Sequence, residues 1–228
     1  MKLHFHREIS QLNTEIAKLG GLVEDAIGKA LVSLREGNHK LAEEVLEGDD
    51  YIDQLEVEIE EHCLKILALY QPVARDLRFI ISVLKVNNEL EHMGDFAQSI
   101  AQKITYVPKA AIEKSGMKLL EMGSGTQKMV GMALDALLKE DAERALEVIE
   151  MDDHIDQLHI QHHRLVADRL KYANPPLKLP DLGLLSVSRS LERISDKATS
   201  IAQDVIYYVE ARIIRHQKMR DLKPFSPR

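Results

Sequence analysis

Apolar residues recur every three or four positions along almost the whole chain, the spacing of helices that bury one face and expose the other. This pattern predicts six helices. The first covers about 8–36 and is stopped by Gly37-Asn38; the second covers about 40–70 and stops at Gln71-Pro72, because proline disfavours helix in the residue before it. A third is expected over about 72–106, before Pro108, and a fourth over about 111–138 with a candidate interruption at Gly123-Ser124-Gly125. The fifth, about 141–172, ends in Asn174-Pro175-Pro176, and the sixth, about 182–216, precedes a basic tail containing Pro224 and Pro227. Short connections force antiparallel neighbours. The expected fold is therefore all-α: two tandem three-helix bundles, residues 1–107 and 108–228, the second ending in the basic tail.

The two halves are related in sequence. Residues 28–67 shifted by 103 positions match identically at 15 of 40 places, including Asp49, Asp50, Ile52, Asp53, Gln54 and Leu55 against Asp152, Asp153, Ile155, Asp156, Gln157 and Leu158. A second block, shifted by 101, pairs Leu90, Glu91, Asp95, Ala97 and Ser99 to Gln102 with Leu191, Glu192, Asp196, Ala198 and Ser200 to Gln203. Core positions must repeat in a duplicated helical domain. Acidic positions need not, so their return in register marks them as candidates for function.

On the third helix the apolar stripe is Val83, Val86, Leu90, Met93, Ala97, Ile100 and Ile104, and beside it runs a polar stripe of Asn88, Glu91, Asp95, Gln98 and Gln102. Glu91 and Asp95 are four apart and project one turn apart from one face, where two bare carboxylates repel. Glu192 and Asp196 repeat the arrangement on the sixth helix, flanked by Arg189, Thr199 and Gln203. Asp49 and Asp53 on the second helix lie as far before the Tyr70–Val73 turn as Glu91 lies beyond it, so the two pairs should face each other. Asp152 and Asp156 should face Glu192 and Asp196 likewise. The repeat partners of Glu56 and Glu60 are His159 and His163; both sets are donors for a borderline transition metal. His162 replaces Ile59 at an apolar position and reads as a packed side chain. His4, His6, His39, His62 and His154 read as ordinary surface or core residues.

Composition narrows the field. Leu, Ile, Ala, Glu and Lys are abundant and there is no Trp, as suits an all-helical chain. A formal net charge of −7 argues against nucleic acid, whose phosphates call for a basic surface. The single cysteine, Cys63, excludes an intramolecular disulfide and a thiolate zinc site, and on an apolar face it reads as a buried, inert thiol. The start Met1-Lys2-Leu3-His4-Phe5-His6 lacks the apolar core of a signal peptide, and no apolar run is long enough to span a bilayer. A soluble, cytoplasmic protein is expected, with a homodimer as its assembly.

The segment Val86-Asn87-Asn88-Glu89-Leu90-Glu91-His92-Met93-Gly94-Asp95 resembles the signature helix of the PhoU family of phosphate-uptake regulators. Leu191-Glu192-Arg193-Ile194-Ser195-Asp196, Gly20-Gly21-Leu22-Val23-Glu24 and Gln71-Pro72-Val73-Ala74-Arg75-Asp76-Leu77-Arg78 resemble it too. The resemblance spans nearly the whole chain, in order, and includes the duplication. It implies two similar three-helix bundles whose Glu/Asp-x-x-x-Asp motifs bind multinuclear metal clusters. Carried over, the ligands are Glu91, Asp95, Glu192 and Asp196, faced by Asp49/Asp53 and Asp152/Asp156, with iron or zinc as the expected ions. It further implies a negative regulator of high-affinity phosphate transport and of phosphate-starvation signalling. The implied partners are the ATPase subunit of the phosphate ABC transporter and the phosphate-sensing histidine kinase, at the inner face of the membrane. Two departures stand out: Phe96 and Lys197 follow the motif aspartates where the family often has His, and His92 stands where Arg is common.

Two other classes of function compete. A carboxylate-bridged metalloenzyme of the helical-bundle type uses Glu-x-x-His on two helices; Glu89 and His92 have that spacing, but their repeat partners are Ser190 and Arg193, so no symmetric pair exists. No phosphate-cradling glycine loop or Ser-His-Asp pattern is evident. A metal-free scaffold that binds partner helices would use the carboxylates for solubility alone.

Overall fold

A computed structural model of the chain describes residues 2–172 and 179–215. Among these there is no strand: the elements are α1 (Lys2–Glu36), α2 (His39–Tyr70), α3 (Ala74–Gln102), α4 (Lys109–Lys114), α5 (Leu119–Lys139), α6 (Ala142–Tyr172) and α7 (Leu179–Glu210), with one 3-10 turn at Lys103–Thr105. Helices α1, α2 and α3 pack on one another, as do α5, α6 and α7. The two sets join mainly along α3 and α7, with α1 meeting α5 beside that seam. No helix among the described residues is long and apolar enough to cross a membrane.

Helix ends follow local chemistry. Gly37 takes a positive φ of 72° and the Asn38 N–H closes on Ser33 O at 2.9 Å, ending α1 where expected. The Asn38 side chain then accepts from Leu41 N at 3.3 Å and starts α2. Helix α1 begins earlier than its polarity suggests because Phe5 packs on Tyr70, ring centroids 5.5 Å apart, at the far end of α2. Helix α3 begins at Ala74 instead of Pro72. Gln71 closes α2 in the left-handed conformation, which leaves Pro72 in the connection and Val73 extended.

The fourth expected helix is two helices, and its break is not at Gly123-Ser124-Gly125. The chain turns at Ser115-Gly116, where Gly116 has φ +72° and Ser115 Oγ accepts from Met117 N at 3.0 Å. Gly123 and Gly125 lie inside α5 as close-approach points: a β-carbon there would sit 2.8 Å from Leu31 Cδ2 and 2.8 Å from Ile155 Cδ1 respectively. Helix α7 ends at Glu210, short of 216, with Ala211 at φ 57°. The expected break at Pro175-Pro176 and the tail with Pro224 and Pro227 lie outside the described residues.

The expected stripe of α3, Val83 to Ile104, is buried throughout. The α3–α7 seam is more polar. Lys197 of α7 pairs with Glu89 of α3 at 2.6 Å, and Arg193 stacks on Phe96 at 5.5 Å. Buried Asp204 is held by Lys85 at 3.1 Å and Arg215 at 2.8 Å. Near the other end Tyr208 packs on Phe79 and donates to Glu140 Oε1 at 2.6 Å, while Arg75 also reaches Glu140. The two residues that follow the motif aspartates, Phe96 and Lys197, thus belong to the seam.

Glycine placement provides a test of this packing. In α7 a β-carbon at Gly183 would collide with Val107 Cγ2 and lie 2.8 Å from Tyr106 Cε2, whereas at Gly48 in α2 it meets open space. Gly48→Ala should stabilise the protein by about 0.5–1 kcal/mol through helix propensity. Gly183→Ala gains the same propensity but should be net destabilising, since overpacking costs about 1–3 kcal/mol. Urea denaturation of the two variants checks the opposite signs.

Candidate metal centre

The antiparallel register of α2 on α3 is set by buried polar contacts. Asn87, 1% exposed, donates through Nδ2 to the Glu56 main-chain oxygen at 2.8 Å and to Glu56 Oε1 at 3.1 Å. Farther from the turn, Gln98 Nε2 donates to Asp49 Oδ2 at 2.6 Å. Asp53, Glu91 and Asp95 lie between these two points and share one electrostatic site. Desolvation first, then the charges of Asp53 and Asp95, push Asp49 up to about 6, against the Gln98 bond. Desolvation and then Asp95 raise both Asp53 and Glu91. His92, 3.7 Å from Glu91, offsets part of that rise.

The second half draws its acids closer. One oxygen from each of Asp152, Asp156 and Asp196 lies within 4.8 Å of the others. Desolvation, then Asp156 and Asp196, push Asp152 up to about 7, countered in part by Ser195. Asp156 rises by desolvation and then Asp153, and Asp196 by desolvation and then Asp156. Glu192 rises by desolvation and then Asp196 and Asp156, with Arg193 and Arg189 opposing. Among the described residues none of these four carboxylates makes an ion pair, because Lys197 and Arg193 reach across to α3 instead.

The two halves differ at one equivalent contact. The partners of Gln98 and Asp49 in the repeat are Thr199 and Asp152. Thr199 is too short to make the bond, and both Thr199 Oγ1 and Asp152 Oδ1 are buried without a hydrogen-bond partner. An orphaned carboxylate oxygen amid two other carboxylates suits a cation well: oxygen donors at bonding distance would satisfy it and cancel the repulsion. The residues present therefore fit a metal ion, with Asp152, Asp156 and Asp196 able to hold it and Glu192 beside them. The equivalent quartet Asp49, Asp53, Glu91 and Asp95 has the same residue types, but among the described residues it does not bring three ligand atoms within 4.8 Å of one another, and Asp49 is already engaged by Gln98.

Nearer the turn the repeat changes chemistry. Ser188, the partner of Asn87, contacts His159 Nδ1 at 2.9 Å and His162 Nδ1 at 2.8 Å. His162 is 1% exposed and its Nε2 accepts from Lys118 N at 2.9 Å, so it is the packed side chain expected. Burial, then His159 and His163, push it down to about 4. His159 and His163 lie edge to face with Nε2 atoms 3.1 Å apart. His62, read from the sequence as an ordinary surface or core residue, clasps Glu15 at 2.6 Å and Glu8 at 2.8 Å on α1; its spacing from those glutamates, 47 and 54 residues, carries no helical signal. Cys63 is buried and desolvation pushes its thiol up to about 12, so it is inert as expected.

Residues 16–104 and 119–205 each match the family model described as PhoU domain. The chain is 36% identical over 206 residues to phosphate-specific transport system accessory protein PhoU homolog 1 of Thermotoga maritima, covering 90% of this chain and 88% of that one. It is 30% identical over 221 residues to phosphate-specific transport system accessory protein PhoU of Escherichia coli, covering 93% and 88%. The crystal structure of PhoU from Pseudomonas aeruginosa superposes with a TM-score of 0.83 at 35% identity, over 91% of this chain and all of that one. The phosphate transport system regulatory protein PhoU from Streptococcus pneumoniae superposes at 0.81 with 27% identity, over 92% and 98%.

Raised carboxylate pKa values predict a pH signature. Between the ordinary aspartate value of 3.8 and about 7 the folded protein holds a proton on Asp152 that the unfolded chain has lost. The associated stability is present below 3.8 and is lost as pH rises through 7. In chelator, Asp152→Asn should therefore be more stable than the wild type at pH 8, and the gap should close towards pH 4. A gap independent of pH in urea denaturation would contradict the assignment. Added cation must displace the same proton, so its affinity should rise with pH across that window.

Proposed function

The chain belongs to the PhoU family, and from that premise we propose that it is an accessory protein of phosphate transport acting as a negative regulator. Its action is binding, not catalysis. The partners in this reading are the ATPase subunit of the phosphate transporter and the phosphate-sensing histidine kinase, met by a cytoplasmic homodimer at the inner face of the membrane. Support comes from the relatives, which are named for the phosphate-specific transport system. The observation that carries the site is the acid cluster present in each half, the halves being divided at 107/108.

In this reading iron or zinc occupies the two clusters. Asp152, Asp156 and Asp196 with Glu192 hold one site, and Asp49, Asp53, Glu91 and Asp95 the other. When bound, the ion supplies positive charge to surfaces that otherwise repel themselves. A cation that binds only the folded protein adds RT ln(1 + [L]/Kd), about 2.7 kcal/mol at a hundredfold excess over Kd. The protein's own residues set its position: Gln98 orients Asp49, and the α3–α7 seam engages Lys197 on Glu89 and Arg193 on Phe96, so neither forms an ion pair with the ligands.

Asp95→Asn with Asp196→Asn keeps the shape and removes one charge per cluster. The double variant should lose bound metal by elemental analysis, lose metal-dependent thermal stabilisation, and derepress phosphate-starvation genes in cells. Full metal content would overturn the ligand assignment. Loss of metal with normal repression would separate the clusters from regulation and place the partner surface elsewhere.

A further inference from the structure

We propose that His159 and His163 form a two-imidazole site for a borderline divalent cation of the zinc, nickel or copper type, separate from the carboxylate trio and confined to the second half of the protein. The two side chains are four apart on α6, and their Nε2 atoms converge to 3.1 Å. At metal–nitrogen distances of ~2.0–2.1 Å, one ion bound to both would subtend an angle of about 100°. That lies between octahedral and tetrahedral geometry, so the α6 backbone need not move. A turn of the exposed His163 ring aims its lone pair at the same point.

Hydrogen-bond accounting leaves His159 with the correct nitrogen unprotonated. His162 Nε2 accepts the Lys118 N–H, so its proton sits on Nδ1 and goes to Ser188 Oγ. The Ser188 hydroxyl donates to Met122 Sδ at 3.5 Å. A hydroxyl has two lone pairs besides its one proton: the first takes His162 Nδ1–H and the second takes His159 Nδ1–H. The Nε2 of His159 is then unprotonated and accepts the His163 Nε2–H at 3.1 Å; a cation between the rings takes the place of that proton, with His163 protonated on Nδ1 instead. A second partner that fixes tautomer and ring orientation is the usual support of a metal-bound imidazole. Desolvation and the neighbouring His163 also hold His159 below its ordinary pKa, keeping it neutral and able to ligate.

The first half lacks this device. At the equivalent positions Glu56 and Glu60 supply oxygen, and Asn87 donates to Glu56, occupying an acceptor instead of freeing one. Imidazole nitrogen favours zinc, nickel and copper over the hard ions that oxygen prefers. The duplication has therefore produced one half that adds a nitrogen-donor site to its acid cluster.

Zinc titration of the metal-free full-length chain, carrying nitrogen-15-labelled histidines, tests this residue by residue. The Nε2 resonances of His159 and His163 should move together to the metal-bound range, while His162, with both nitrogens engaged, stays in place. The response should persist in Asp152→Asn with Asp196→Asn. His163→Gln, at an exposed position, should keep its melting temperature yet weaken zinc binding at this site ten- to a hundredfold and leave His159 unmoved. The proposal is overturned if neither resonance responds, if His162 moves equally, or if His159 shifts unchanged in His163→Gln. Loss of the response in the aspartate variant would make the imidazoles part of the acid site and overturn its separateness. None of these outcomes depends on the role in phosphate transport, which is read from repression in cells.

Discussion

The arrangement of the molecule depends on one constraint: the register at which an antiparallel helix pair closes. In the first half it is held by the Asn87 amide on the Glu56 backbone and by Gln98 on Asp49. A slip of one residue would rotate the acidic stripe by about 100° away from its partner. A buried amide without its acceptor costs about 1–3 kcal/mol, so Asn87 penalises wrong registers while the apolar stripe alone would tolerate several. The level at which Asp53 meets Asp95 is a consequence of where the Asn87 Nδ2 can reach the Glu56 main-chain oxygen.

The duplication preserves that register and changes what it holds. Ser188 meets His159 where Asn87 meets Glu56, and Thr199 stands at the repeat position of Gln98 without reproducing its bond to the aspartate. Both changes shorten the α7 side chain. One leaves room for an imidazole and the other leaves an aspartate oxygen bare. The second acid cluster is consequently the less satisfied: Asp152 Oδ1 is buried without a hydrogen-bond partner, whereas Asp49 Oδ2 accepts from Gln98.

Much of this was legible from the sequence because it is periodic. The buried stripe of α3 and the four-residue spacing of Glu91 and Asp95 are helical signals. The facing of α2 and α3 follows from equal distance to Tyr70–Val73. What escaped has no period. The turn at Gly116 was misplaced because Gly123 and Gly125 look like breakers in one dimension, although they are contact points for Leu31 and Ile155. His62 acts through Glu8 and Glu15 on another helix. Phe96 and Lys197 stood out as departures from a family pattern, and the reason appears only when α7 is laid on α3.

That seam has a further consequence. Lys197 needs Glu89, whose repeat partner is Ser190, and Phe96 needs Arg193, whose repeat partner is His92. The halves descend from one unit, yet their touching faces have become lock and key. Two copies of the first half would set Phe96 against His92 and leave Glu89 without its lysine; two copies of the second would set Lys197 against Ser190. Neither self-pairing reproduces the contacts of the mixed pair. The chain is in effect an obligate heterodimer written as a single polypeptide, and the drift that made it so is irreversible at any single position.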